Sequence, residues 1–367
     1  MKSLLPKNGK ENTWYKSTGN FNPRKSMSTQ LDNEASLPFD EEYFQNSLPT
    51  YYRSILKRFR KTSQSFVHFN LLFAAAFSAE LALFLFFLPF LTRSAILAFA
   101  LGGLLLTCFS YFVLLFYFQA KKPEQLAELK KQFILACRQH LPIPPGMAQH
   151  HLSIADALSK LSHYLQDFEW SFYKLPSFLQ FLSPLISRFS AYCYWEDVHR
   201  LKQLLLSAAA EEHLQQIRAT PTDLEVHASL ANTYVSLSKL YRDPLSGECH
   251  PRAGKTKTLR PELDEKFRKF SRLAIEEFKI LSHYAPNDPW VHEQLALGYQ
   301  DLGMPEEEVR EMEELLKLRS QDKEVLFRLG ALYFRQGMNA KGLQIYEELK
   351  QANFKKAEDL IFSYGKS

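Results

Sequence analysis

The sequence predicts an all-α protein in which a two-helix transmembrane hairpin precedes a helical middle segment and a repeat-built α-solenoid. Three observations carry that expectation. Residues 71–91 and 94–118 are apolar on every helical face, with only Thr92 and Arg93 between them. Segment 121–220 returns apolar residues at three- and four-residue steps, the period of a helix with one buried side. Finally, Leu295-Ala296-Leu297-Gly298-Tyr299 with Gly303 recurs 34 residues later as Leu329-Gly330-Ala331-Leu332-Tyr333 with Gly337.

In chain order, residues 1–48 form a polar N-terminal segment. The first 40 residues are rich in Ser, Asn, Lys, Thr and Pro without an apolar run, so they are expected to be disordered and to lack a cleavable secretory signal. The whole chain has 367 residues, 45 basic and 40 acidic side chains, and a net charge of +5. Such a balance creates no global field that calls for a nucleic acid, and none is expected as a partner. Cys108, Cys137, Cys193 and Cys249 lie tens of residues apart with no Cys-x-x-Cys pair. That spacing argues against a zinc site or a disulfide framework and for a reducing compartment.

Residues 65–120 are assigned to the hairpin. At 1.5 Å per residue its two spans are roughly 31 and 37 Å long, enough for a hydrocarbon core of about 30 Å. Pro89 helps to end the first span, and the short link forces a tight return. Arg53, Lys57, Arg58, Arg60 and Lys61 precede the hairpin and Lys121, Lys122, Lys130 and Lys131 follow it, against Arg93 alone in the turn. By the positive-inside rule the chain is an integral, two-pass membrane protein with both termini cytoplasmic. The basic segment 49–64 interleaves Tyr51, Tyr52, Ile55, Leu56 and Phe59. It reads either as an amphipathic helix lying at anionic headgroups or as a topology signal alone.

Glu80 stands near the middle of the first span, where an ionised carboxylate costs a few kcal/mol. Folding the hairpin brings it level with residues 104–108, which nominates Thr107 as its hydrogen-bond donor unless a second hairpin supplies one in a homo-oligomer. One reading is a proton-linked or transport function centred on Glu80. The other, favoured because no second polar group of that kind lies at its depth, is a protonated side chain that holds helices together. Loss of activity in Glu80→Gln with insertion intact would select the first.

Within 121–220, the run Leu141-Pro142-Ile143-Pro144-Pro145-Gly146 and Pro176 and Pro184 act as punctuation. Ser153 is expected to cap a helix that buries Ile154, Ala157, Leu158, Leu161, Leu165 and Phe168. A second helix, from about Trp195 to Arg218, carries Val198, Leu201, Leu205, Ala208 and Ala209. His140, His150, His151, His163, His199 and His213 include no i, i+4 pair with a carboxylate, so neither a metal nor a cofactor is expected.

Residues 221–367 divide on the 34-residue period into repeats at 289–322 and 323–356. Leu230-Ala231-Asn232-Thr233-Tyr234 copies the first-helix pattern, and Ala274, Phe278, Leu281 and Pro286 fall at second-helix spacing. A first repeat therefore spans 224–288, with 31 extra residues placed at about 239–269 as a loop-tip insertion. Ala357 to Tyr364 begins a capping helix. On these residues the chain resembles the tetratricopeptide repeat (TPR) family. In that pattern the small residue admits the partner helix, the aromatic fills the gap and the glycine ends the first helix. Glu308, Met312 and Phe354 depart from the family's small residue, aromatic residue and closing proline.

The resemblance implies a TPR-type solenoid that docks proteins or peptides and does not catalyse. Its groove offsets fall at Asn232, Val235 and Ser236; at Trp290, Glu293, Leu297, Gln300 and Asp301; and at Glu324, Phe327, Ala331, Phe334 and Arg335. Trp290, Phe327 and Phe334 are the expected aromatic anchors. Members that clamp a C-terminal carboxylate pair a lysine with an asparagine; Asn232 stands at the second place but Ala228 at the first, so that subclass is not expected.

Gly254-Lys255-Thr256 ends like a phosphate loop, but six residues separate Gly247 from Gly254 where four are needed, and Pro251 intervenes. With Arg252, Lys257 and Arg260 it reads instead as a basic strip on the insertion. No nucleophile with a base, paired carboxylates or metal spacing is present, so the expected function is a membrane-anchored interaction scaffold. The polar N-terminus and close hairpin also resemble inclusion-membrane proteins of intracellular bacteria. That resemblance implies export and repeats facing a host cytosol as an alternative address.

Overall fold

The computed structural model describes residues 41–88, 94–141, 147–173, 177–246, 253–362 and 364, all within one unit, Asp40–Ser367. Among them no β-sheet forms. The order is α1 (Glu41–Phe87), α2 (Ser94–His140), α3 (Ala148–Tyr164), α4 (Ser183–Ala219), α5 (Leu224–Ser246), α6 (Ala253–Tyr284), α7 (Pro289–Leu302), α8 (Pro305–Leu318), α9 (Lys323–Arg335), α10 (Asn339–Gln351) and α11 (Ala357–Ile361). The fold is all-α, with two long apolar helices leading into a TPR-type solenoid.

Helices α1 and α2 have 47 residues each, about 70 Å at the α-helical rise. Their distal halves pair with each other: Tyr111 Oη donates to Asn70 Oδ1 at 3.0 Å, and the Phe69 ring lies 4.6 Å from that of Phe118. The outer faces of these halves are bare, with Phe99 84% exposed. The proximal halves are buried instead. Tyr52, Ile55, Leu56 and Phe59 of α1 and Leu126, Leu129, Phe133 and Cys137 of α2 enter a core shared with α3 and α4. Tyr52 Oη donates to the Ala157 carbonyl at 3.3 Å.

Segment 49–64 is therefore not a separate helix lying at headgroups. It is a continuous part of α1 whose apolar stripe meets protein, with Arg53, Lys57 and Arg58 on the exposed side. The expected boundaries at 64/65 and 120/121 fall inside unbroken helices, and residues 41–48 are helical too. Residues 1–40 and the turn with Pro89, Thr92 and Arg93 lie outside the described residues.

Helix α3 begins at Ala148, before Ser153, so that serine sits inside it and caps nothing. Helix α4 begins at Ser183, earlier than the sequence period suggests, because Pro184 sits in its first turn. There the missing N–H has no helical partner to lose, so the proline, read in the sequence as punctuation, opens the helix. Two short 3-10 turns, Phe168–Ser171 and Ser177–Leu182, connect the two helices. Phe172 stacks on Tyr194 at 3.8 Å and meets Phe59 at 5.9 Å, tying this connection to α1.

Two ion pairs set α4 against α2. Lys122 Nζ lies 2.6 Å from Asp197 Oδ1, and Arg138 lies 2.9 Å from Glu212, which His151 Nδ1 also meets at 2.7 Å. Sixteen residues separate the two cations on α2 and fifteen the two anions on α4. The helices consequently run parallel and nearly in register.

The solenoid consists of the hairpins α5/α6, α7/α8 and α9/α10, closed by α11. The repeat period dictates each start: Asp223, Asp288 and Asp322 accept from the backbone N–H of Glu225, Trp290 and Glu324 at 3.1, 2.9 and 3.0 Å. It also dictates two of the stops. Gly303 and Gly337 take positive φ of 68° and 72°, and the next N–H reaches back to the Tyr299 and Tyr333 carbonyls at 2.9 and 2.8 Å.

The equivalent position in the first repeat is Ser238, which provides no left-handed stop. Helix α5 accordingly runs on to Ser246, and α6 resumes at Ala253. The inserted residues 239–246 and 253–269 are thus extensions of a helical hairpin, not a loop, with 247–252 outside the described residues. Gly254, Lys255 and Thr256 lie within α6. One core runs from Leu206 and Ala210 of α4 through α5 and α6 to Leu295 of α7, and the next from Ala296 to Leu360 of α11. The cap packs closely on α9 because Gly330 carries no side chain: a Cβ there would lie 2.8 Å from Ile345 and 2.9 Å from Leu360.

Candidate partner-binding groove and apolar hairpin

The first helices of successive repeats are linked to one another along one side of the stack. Arg242 of α5 pairs with Asp301 of α7, and Glu293 of α7 lies 3.5 Å from Arg328 of α9 and 3.4 Å from Arg319. Glu324 pairs with Lys356 at 2.7 Å. Much of the charge expected to face a partner is thereby engaged within the chain.

Trp290 is half-buried and meets Phe278 edge-on at 5.5 Å, and Phe327 is half-buried with its ring 6.0 Å from Phe354. Val235 packs on the core, while Asn232, Leu297 and Ala331 are half-buried. Gln300 is exposed and donates to Glu308 at 3.1 Å; Arg335 is exposed, 4.0 Å from the same carboxylate. What remains is a polar strip over a narrow apolar floor of Leu297, Phe327 and Ala331.

Phe334 is not part of that floor. It is 0% exposed and lies over Gly342, whose missing side chain leaves the room that the ring fills. The same pair of positions holds Gln300 and Glu308 in the second repeat, where they hydrogen-bond, and Val235 with Ala274 in the first. Glu308, at a place where the family keeps a small residue, is buried; burial pushes its carboxyl up, opposed by Arg335 and Arg328.

A pair of histidines that the i, i+4 criterion passes over bridges the two helices of the first and second repeats. His227 Nδ1 meets Glu277 at 2.6 Å and its Nε2 meets the Pro221 carbonyl at 3.0 Å. His292 repeats this with Glu311 at 2.7 Å and the Pro286 carbonyl at 2.8 Å. The partners are far apart in sequence, but both sets occupy the same repeat positions once the insertion is discounted. In the third repeat those places hold Leu326 and Ile345, both buried in the core.

Since both ring nitrogens face acceptors, only the imidazolium satisfies both. Burial pulls each ring's pKa down, but the carboxylate and the carbonyl outweigh it and leave both raised. A raised value means that the stability contributed is complete below the unfolded value of about 6.5 and is lost as pH rises through the folded value. His213 acts elsewhere: burial lowers it to about 4, so its contribution is lost as pH falls below about 6.5. The thermal midpoint of the wild type should therefore fall relative to His227→Leu/His292→Leu as pH is raised from 6.5. Parallel curves above that pH would count against the double hydrogen bond.

In the hairpin, Thr107 Oγ1 donates to Glu80 Oε1 at 3.1 Å, so the two residues paired by depth in the sequence are in contact. No group of three or more metal-ligating side chains occurs among the described residues.

No protein-family model matches the chain, and no curated protein matches it. Among solved structures it is similar to TTC0263, a thermophilic TPR protein of Thermus thermophilus, at 22% identity and a TM-score of 0.28, over 59% of this chain and 97% of that one. It is also similar to a monomeric mutant of IFIT1 with Gppp-AAAA, at 14% identity and a TM-score of 0.33, over 89% of this chain and 86% of that one. The assignment of TPR-type repeats rests on the residues described above: the shared register of aspartate caps, glycine stops and tyrosines.

Proposed function

We propose that this protein is a membrane-anchored scaffold: the distal halves of α1 and α2 cross a bilayer twice, and the solenoid on the cytoplasmic side recruits a protein or peptide partner. The observation that carries the reading is a contrast within single helices. Each buries its apolar face where it meets α3 and α4, yet the most apolar window of each is wholly unburied. An uncovered surface of that size belongs in lipid. Glu80 then serves as a lock, its carboxyl held by Thr107 where water is absent. The protein acts by binding and not by catalysis.

Expressed with its full chain, the protein should float with phosphatidylcholine/phosphatidylglycerol vesicles and resist alkaline extraction, whereas Leu83→Glu/Phe109→Glu should lose both properties. A wild-type protein that stays in the aqueous fraction would overturn the anchor. For the groove, photocrosslinking residues at Gln300 and Arg335 should capture one partner in common. Crosslinks confined to the same chain would overturn recruitment through this face.

A further inference from the structure

We infer that the start of α4 is a third membrane-contacting element, an interfacial face that enters the cytoplasmic leaflet beside the hairpin and is covered by lipid. The inference rests on the membrane reading above and adds a surface to it. Phe181, Leu185, Phe189 and Tyr192 are 75%, 68%, 41% and 50% exposed. Steps of four and three residues place Leu185, Phe189 and Tyr192 on one stripe of α4, and Phe181 stands on the 3-10 turn just before it. Ser190 and Ala191, on the other side, are buried against the preceding turn, where Ser190 Oγ donates to the Glu169 carbonyl at 2.6 Å. The helix is thus held by one face, with Leu185 and Phe189 exposed on the other.

The ion pairs between α2 and α4 say what the bare face meets. Lys122 lies four residues beyond Phe118, the end of the second apolar span, so Asp197 is held about 6 Å outside the hydrocarbon edge. At that level the cavity between the hairpin helices changes its lining from Lys61, Thr62 and Ser65 to Phe66 and Phe118. Because α4 runs parallel to α2, its residues before Asp197 proceed toward the bilayer. Tyr192 comes level with the edge, and Phe189 and Leu185 lie about 6 and 12 Å past it, at and just beyond the roughly 5–10 Å to which interfacial helices bury their apolar side. Arg188 is exposed on the same turn and its long side chain reaches back to headgroup phosphates. Tyrosine at the edge with phenylalanine and leucine below it follows the usual order of an interface. At these levels the stripe lies at the same depth as the exposed start of the hairpin, so one bilayer reaches both.

Three single tryptophan additions test this in the full chain, reconstituted in vesicles of phosphatidylcholine and phosphatidylglycerol with or without dibrominated phosphatidylcholine. They are Phe109→Trp in the hairpin, Leu185→Trp in α4, and Leu343→Trp on exposed α10. Emission is read as the difference from the parent protein. Bromolipid should quench the added emission of Leu185→Trp by about half as much as that of Phe109→Trp, and leave Leu343→Trp unaffected. Quenching at Phe109→Trp without quenching at Leu185→Trp would overturn this inference and leave the anchor standing. In that case acrylamide tells water from protein: access means that the face is solvated, and protection from both quenchers means that a second copy or partner covers it. Absence of quenching at Phe109→Trp would overturn the anchor, and this inference with it.

Discussion

Lys122→Met should destabilise the folded protein by about 3–5 kcal/mol, because it strands a carboxylate that the fold has taken out of water. The Asp197 side chain is 5% exposed, and Lys122 Nζ at 2.6 Å is its ion-pair partner. Burial pushes that carboxyl up, and the Lys122 ammonium is the largest influence opposing it. The lysine also lies 4.4 Å from the Phe66 ring centroid, which places its charge against an aromatic face at the mouth of the hairpin. Replacing both members, as Lys122→Met/Asp197→Leu, should recover most of the loss, since an apolar pair of similar volume needs no compensation. Chemical denaturation of the reconstituted protein reads the cycle. A single variant within about 0.5 kcal/mol of wild type would mean that water reaches the pair.

The second large effect concerns Phe334 and Gly342. Phe334→Ala should cost about 3–5 kcal/mol, the usual loss for emptying a buried aromatic site. Gly342→Ala should also destabilise, although alanine favours helices, because the added methyl would stand 2.5 Å from the ring. Combined, the two changes should cost less than their sum, since the methyl then occupies space the ring has vacated. Hydrogen exchange over α9 to α11 localises the effect to the last hairpin. An aromatic docking anchor would behave otherwise: Phe334→Ala would reduce partner capture and leave denaturation unchanged.

The Phe334 outcome shows what the sequence could and could not reveal. Its repeat offset suggested the groove, and the offset is sound for Gln300, which is exposed. The deciding residue is Gly342, eight positions later, whose missing side chain draws the ring inward. The headgroup reading of segment 49–64 failed in a related way. Period alone reports that Tyr52, Ile55 and Phe59 share a face, but lipid and protein satisfy the same stripe, and only the positions of α3 and the Phe172 turn decide between them. By contrast, the glycine stops at Gly303 and Gly337 were legible because positive φ is a local demand. Even the run-on of α5 was encoded, by a serine where those glycines stand. The histidine pairs were visible only through the repeat register, since 50 residues separate His227 from Glu277.

A final consequence lies in the continuity of α1 and α2, which pass from the buried core to the bare apolar surface without a break. Ordinary anchors hang their cargo on a tether that forgets direction within a few residues. Here two stiff rods are clamped at one end by aromatic packing and gripped at the other by whatever surrounds them. On the proposed membrane reading, a change in bilayer thickness or a neighbour leaning on the hairpin would swing the proposed docking face through an angle. On that reading the molecule works as a lever, with the groove at its handle.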